Sequence, residues 1–364
     1  MLLDRSGSLL VEGGDDALAR FSEELRNHSS PEVHAGVIEL ATSVHHDVPA
    51  AIAELSSLRA RLALELSQLG MTPACAGVHP IGSSQATRTS LSGARRYLLL
   101  AESLRSLARR EPTMALHVHV GVPEPAEAAR AFNRLRATAA ILLALSANSP
   151  FSAGRDTGFE SVRAMIFGGF PRSGTPPQLE SYADYVDALH PLISSGAVPD
   201  PTFVWWDVRL QPALGTVEVR VMDAQMTLAD TAGLVALIQS LVRLEVDGER
   251  PNVPIATEVV DENRFLAARD GLSARLIDPI GPRLVPVREI VPPLLAACRQ
   301  HAAALGCSCE LDQVRRLAAA NGALRQREWA IDASDLATIA PKLAGRFLQP
   351  RQIGSHPTLE ERTD

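Results

Sequence analysis

The chain has 364 residues, 46% of them hydrophobic and 21% charged, with a formal net charge of −7. That size and balance fit a soluble globular protein, and the acidic total gives no electrostatic case for a nucleic-acid partner or an anionic membrane. No apolar run reaches the roughly 18 residues that cross a bilayer, the start lacks the order of a signal peptide, and Cys75, Cys298, Cys307 and Cys309 are too scattered for a disulfide framework. A cytoplasmic protein with reduced thiols is the expectation.

The chain opens on Leu2-Leu3 and the turn Asp4-Arg5-Ser6-Gly7-Ser8, followed by Leu9-Leu10-Val11, the layout of a hairpin whose first strand is almost absent. Apolar spacing predicts a helix over 15–27, a strand over 33–42 and a long helix over 47–69 stopped by Gly70. A strand over 72–78, a helix over 93–110 and a strand over 114–121 follow, and Pro123-Glu124-Pro125 opens a helix to about 147. Residues 148–177 are rich in Gly, Pro, Ser and Arg, with a short helix near 159–167. A helix over 178–189 precedes an antiparallel strand pair over 203–211 and 216–222, then an apolar helix over 228–246. From about 256 the pattern is mainly helical, with a hairpin around 275–285 and a polar tail after Gln349. The expected fold class is α+β, a mostly antiparallel sheet with helices packed on one side, in one domain over 1–350 with 351–364 as the tail.

Residues 216–223 are the most informative segment. Val217, Val219 and Val221 alternate with Glu218, Arg220 and Met222, the period of a strand with one apolar face. Glu218 and Arg220 therefore stand side by side on the other face, where a carboxylate can hold a divalent metal and a guanidinium can contact a phosphate oxygen. His117 and His119 share one face of the strand over 114–121 in the same way. Spacing alone also allows a solvated strand face with a local ion pair, and histidines that are merely hydrogen-bonded. Glu39 lies in the otherwise apolar Val37-Ile38-Glu39-Leu40-Ala41, where a carboxylate needs a cation or donors unless the strand edge faces water. A metallohydrolase built on the histidine pair would lack a third metal-ligating histidine.

Several segments, in order, resemble the glutamate–cysteine ligase type 2 family, the YbdK-type carboxylate–amine ligases of the glutamine synthetase-like superfamily. They are Val37-Ile38-Glu39-Leu40-Ala41-Thr42, His117-Val118-His119-Val120-Gly121-Val122, Ser146-Ala147-Asn148-Ser149-Pro150-Phe151 and Gly154-Arg155-Asp156-Thr157-Gly158. Trp206-Asp207-Val208-Arg209, Glu218-Val219-Arg220-Val221-Met222-Asp223, Glu262-Asn263-Arg264 and Arg325-Gln326-Arg327 continue the series. The resemblance implies ATP- and Mg²⁺-dependent joining of a carboxylate to an amine, with glutamate and cysteine, or another amine, as substrates. Phosphorylating the carboxylate supplies a leaving group, after which the amine attacks the acyl phosphate and phosphate departs.

In that frame Glu39, His117 and Glu218 are the metal-ligand candidates, and Arg220 and His119 are the catalytic ones, Arg220 at the transferring phosphoryl group. Arg155, Asp156 and Arg163 would bind substrate, while Asn263 and Arg264 would reach the nucleotide or fix their helix. The run over 168–174 would close over the acyl phosphate, or be a plain turn. Family members begin with a strand reading roughly Gly-Val-Glu-Glu-Glu-Phe, whereas this sequence starts at Met1-Leu2-Leu3-Asp4. The expectation is therefore either a true start further upstream, which the surviving site residues favour, or a catalytically impaired homologue that binds nucleotide or amino acid. A homodimer would give a sheet short of a strand a partner.

Overall fold

The computed structural model describes residues 1–82, 92, 95–248, 254–331, 333 and 335–349. The start expected at 93 for one helix and the polar tail after Gln349 lie outside them. Strand β1 (Leu2–Leu3) is followed by helices α1 (Gly14–Arg20) and α2 (Glu23–Asn27), where one helix was expected. The break has a local cause: Phe21 is extended, and the Ser22 hydroxyl accepts from Leu25 N–H to start a new helix. Strands β2 (Ser29–Pro31) and β3 (Ile38–Leu40) form a short hairpin in place of the single strand expected over 33–42. Helix α3 (Val48–Gln68) starts at Asp47, whose carboxylate accepts from Ala50 N–H at 2.8 Å, and ends before Gly70 at φ +73°. Strand β4 (Thr72–Pro73) pairs with β1, and helix α4 (Arg95–Leu104) runs into a 3₁₀ turn.

The central part holds the sheet that matters for function. Strand β5 (Ala115–Gly121) leads to helix α5 (Pro125–Ser146), then the small strands β6 (Phe151–Ser152) and β7 (Arg155–Asp156), helix α6 (Val162–Gly168) and strand β8 (Ser173–Gly174). Helix α7 (Tyr182–Ser194) starts later than expected because Ser181 and Asp184 form a capping box. Strands β9 (Trp205–Trp206) and β10 (Val208–Gln211) are separated at Asp207, and β11 (Thr216–Asp223) follows. The order β10–β11–β5 is antiparallel throughout. Helix α8 (Leu228–Val246) packs on α5, and α5 packs across β10 and β11.

Val217, Val219 and Val221 face this helical layer and are almost fully buried. Each contributes about 2 kcal/mol of burial free energy. The expected α+β arrangement, a small antiparallel sheet with helices on one side, is present. Helices α9 (Thr257–Asp270), α10 (Val287–Ala304), α11 (Ser308–Ala319), α12 (Gly322–Ile331) and α13 (Ile339–Phe347) make up the last third, with the expected hairpin as β12 (Arg275–Ile277) and β13 (Leu284–Pro286). Met1 and Leu3 share an apolar cluster with Ile339, Ala340 and Leu343.

Two buried histidines tie stability to pH. Burial pushes His34 and His79 down from 6.5 to about 4. The Nδ1 of His79 accepts from the N–H groups of Ile81 and Gly82 at 3.3 and 3.1 Å, bonds that a proton there would break. Between about 4 and 6.5 the unfolded chain binds protons that the folded chain refuses, so stability falls as pH drops through that window, by up to about 3 kcal/mol per histidine. Urea unfolding at the two ends of the window should show this loss, and His79→Gln should shrink it by up to about 3 kcal/mol. An unchanged difference in that variant would remove His79 from the account.

Candidate active site

The register of the central sheet assembles the site. Strand β11 sets Glu218 directly opposite His119 on β5 and Arg209 on β10. The face is not solvated: Glu218 is only 1% exposed. Its carboxylate accepts from Arg209 Nε, from Arg209 Nη2 at 3.3 Å, from Gln211 Nε2 at 3.0 Å and from Arg220 Nη1 at 2.5 Å. His119 Nε2 lies 3.5 Å away. Burial alone would raise this carboxyl's pKa, but the His119 hydrogen bond and the Arg220 and Arg209 charges outweigh it and hold the group well below the usual carboxylate range. Glu218 is therefore ionised.

His117 is the meeting point. Its Nδ1 lies 3.8 Å from Glu39 Oε1, 4.0 Å from Glu218 Oε1 and 3.5 Å from Arg220 Nη1. Burial first, and then the Arg220 charge, push its pKa well below the ordinary histidine value, so the ring is neutral and Nδ1 accepts from the guanidinium. Glu39 stands at the open side of the cluster with its side chain 44% exposed, and it accepts from Ser30 Oγ at 3.2 Å. Thus Glu39, His117, His119, Glu218 and Arg220, drawn from three separate stretches of chain, converge.

Convergence is not a metal site as these side chains stand. Both Glu218 oxygens are taken by strong donors, and the Arg220 guanidinium bridges Glu218 and His117 where an ion would sit. Among the described residues no group of three His, Cys, Asp or Glu side chains is arranged to hold a metal. The residues do not fit Mg²⁺ in this arrangement. What the site offers is a guanidinium, Arg220, aimed by Glu218 and His117, a donor of the kind that meets a phosphate oxygen.

The other expected residues lie elsewhere. Arg163 is buried and gives its guanidinium to the carbonyls of Val221 and Arg220 at 3.0 and 3.1 Å, so it braces β11 instead of meeting substrate. Asp156 is tied to Arg327 and to Gly158 N–H, and it sits with Arg155 on the exposed β6–β7 hairpin. No hydrogen bond or ion pair among the described residues joins Arg155 or Asp156 to the Glu218 cluster. Asn263 clamps Ile277 through both its amide and that residue's backbone, at 3.0 and 2.6 Å, and Arg264 binds Asp207 at 2.6 Å. Both fix the packing of α9, one of the two roles expected for them. The 168–174 run is anchored, with Ser173 and Gly174 pairing in parallel with Trp205 and Trp206 and Arg172 stacking on Trp205.

Arg209 and Gln211 were missed as site residues. Their signal was available: in the pair over 203–211 and 216–222 they alternate with Val208 and Leu210, which puts them on the Glu218 face. Glu32 is a further neighbour, close enough for its charge to act on Arg220.

Helices lie on one side of a small antiparallel sheet, with an arginine–carboxylate–imidazole cluster on its other face, an α+β chain with a buried charged site. A family model described as glutamate–cysteine ligase family 2 (GCS2) matches residues 4–333, and the chain belongs to that family. It is 39% identical over 329 residues to a protein of Rubrobacter xylanophilus provisionally named glutamate–cysteine ligase 2-1, covering 90% of this chain and 87% of that one. A protein of Sorangium cellulosum, provisionally named glutamate–cysteine ligase 2, is 36% identical over 313 residues, 85% of this chain and 82% of its own. Among solved structures, the glutamate–cysteine ligase of Francisella tularensis in complex with AMP matches with a TM-score of 0.65 at 14% identity, covering 98% of this chain and 88% of that one. A bifunctional glutathione synthetase from Pasteurella multocida matches with a TM-score of 0.69 at 12% identity, covering 95% and 51%. At those identities the two structures show the fold.

The site's internal balance can be tested by stability alone. Arg209→Met would leave buried Glu218 with one guanidinium fewer, an expected loss of about 3 kcal/mol in urea unfolding. Arg209→Lys should recover only part of it, because an ammonium cannot repeat the two-pronged contact. A loss within about 0.5 kcal/mol for Arg209→Met, the range of an ordinary surface change, would mean the contact carries no structural weight.

Proposed function

We propose that the chain is an ATP- and Mg²⁺-dependent carboxylate–amine ligase that joins glutamate to cysteine through a γ-glutamyl phosphate. Family membership supports the reaction class, and the observation that carries the reading is the convergence of Glu39, His117, His119, Glu218 and Arg220 on one face of the sheet. Carboxylate–amine ligation needs a site that gathers polyanions and holds the transferring phosphoryl oxygens against fixed positive charge. Arg220 is placed for that contact. Its nitrogen is held by Glu218 and His117, so the guanidinium is pre-aimed and loses little freedom on meeting phosphate. His119 lies beside it with a half-exposed ring, turned to Thr216 through Nδ1 at 3.0 Å, and would line the substrate side. ATP is the nucleotide of this reading, and Mg²⁺ is its counter-ion with no step assigned to protein ligands. Arg155 and Asp156 remain candidates for a substrate-contacting hairpin. We further propose one ligase unit over 1–350 in a cytoplasmic protein, working on small molecules, with a homodimer as its assembly.

A second reading is a relative that binds nucleotide or amino acid without turnover. The saturation of Glu218 by Arg209, Gln211 and Arg220 favours it, because a carboxylate so engaged has no lone pair left for an ion.

Release of ADP from ATP separates the two. The ligase reading expects release that needs glutamate, an amine and magnesium together, that stops when magnesium is chelated, and that falls about a hundredfold in Glu218→Gln. Calorimetric ATP binding with no ADP from any glutamate–amine mixture would establish the second reading instead.

A further inference from the structure

Strand β11 is irregular where the site needs it to be. Val219 pairs with Val118 and Met222 with Leu116, so Arg220 and Val221 together oppose the single residue His117. That two-against-one count is a β-bulge, which bends the strand and redirects a side chain. In a regular strand successive carbonyls point to opposite edges and cannot share a donor. Here the carbonyls of Arg220 and Val221 both meet the guanidinium of Arg163, at 3.1 and 3.0 Å, while Arg220 N–H donates to the Asp207 carbonyl at 2.8 Å.

Arg163 could not hold this position without a counter-charge. Its side chain is 4% exposed, and Asp223, fully buried, lies 3.7 Å away. Asp223 is itself held by Ser161 Oγ at 2.8 Å, Ser149 Oγ at 2.7 Å and Asn148 N–H at 2.8 Å. The guanidinium is thus a fixed two-pronged donor to two successive carbonyls at the bulge. A lysine would bring one nitrogen where the guanidinium brings two, so it could not repeat the two-pronged contact.

We infer that Arg163 is a positioning residue: it stabilises the β11 bulge opposite His117 and so aims the Arg220 guanidinium at Glu218 and His117. The inference rests on the ligase reading only for its kinetic consequence, since the conformational consequence stands alone. Without Arg163 the two carbonyls lose their shared donor, the bend in β11 relaxes within the same register, and Arg220 turns away from the site.

The test uses the full chain with Arg163→Met and Arg163→Lys. Crystal structures of the wild type and Arg163→Met should show the bend at Arg220–Val221 relaxed and Arg220 moved off Glu218 and His117 in the variant. In the ligase assay, kcat should fall about tenfold to a hundredfold, as expected for a displaced contact. The KM for ATP should change by less than about threefold, the pattern of an interaction made in the transition state. Arg163→Lys should restore part of kcat, and Arg163→Met combined with Arg220→Met should cost no more than Arg220→Met alone. A bulge and an Arg220 unchanged in Arg163→Met would overturn the inference, as would kcat losses that multiply in the double variant. If Arg163→Met does not fold, Arg163→Lys, which keeps the buried charge, serves for the same structural comparison. Absence of turnover in the wild type would sink the ligase reading instead, leaving the structures to decide the role of Arg163.

Discussion

A carboxylate with almost no solvent contact must be matched by donors or the sheet around it cannot form. Glu218 sets this constraint. Two guanidiniums, an amide and an imidazole surround it, and each arrives through a backbone register: Arg209 and Gln211 by the β10–β11 pairing, His119 by the β11–β5 pairing, and Arg220 from Glu218's own strand. A slip of one residue would turn Glu218 toward the apolar helices and the valines toward the arginines. The charge cluster therefore specifies the register at the same time as it forms the site.

A second buried carboxylate carries the order outward. Asp223 gathers the Asn148–Ser149 corner, the start of α6 and Arg163. Space around it is so short that a Cβ at Gly77 would lie 2.6 Å from the carboxylate, which explains a glycine there. Asn148 in turn accepts from Gln326 and donates to the Ala224 carbonyl, and a Cβ on Gly322 would strike its side chain. Sequence motifs that look like separate site elements are here one continuous polar core, joining α12 to the far end of β11. Several of them hold the site's strand in place.

That distinction separates what was legible from what was not. The alternation in Val217–Arg220 and in His117–Val120 gave the strands and their faces, and the carboxylate, guanidinium and imidazole candidates with them, whereas Met222, past the bulge, joins the valines in the core. The hairpin over 275–285 and the long helix from 228 were equally plain in apolar spacing and breakers. The break at Phe21–Ser22 was not, because a serine can continue a helix or cap a new one, and the choice here involves Glu65 of α3, which accepts from both Ser22 N–H and Oγ. Whether Arg163 and Arg264 meet a ligand or brace the fold stayed open in the sequence, because an arginine near a motif looks the same whether it faces a ligand, a carboxylate or a carbonyl.

By itself, then, the sequence determined the α+β class, the two polar strand faces and the types of side chain that meet there, since periodicity and residue chemistry are local properties. Only the tertiary structure decided which arginines touch Glu218, which one braces the β11 bulge, and that Asn263 and Arg264 are turned to packing. Those outcomes depend on strand register and on the lack of any other partner within reach in a closed interior, and neither is written in the spacing of a single segment.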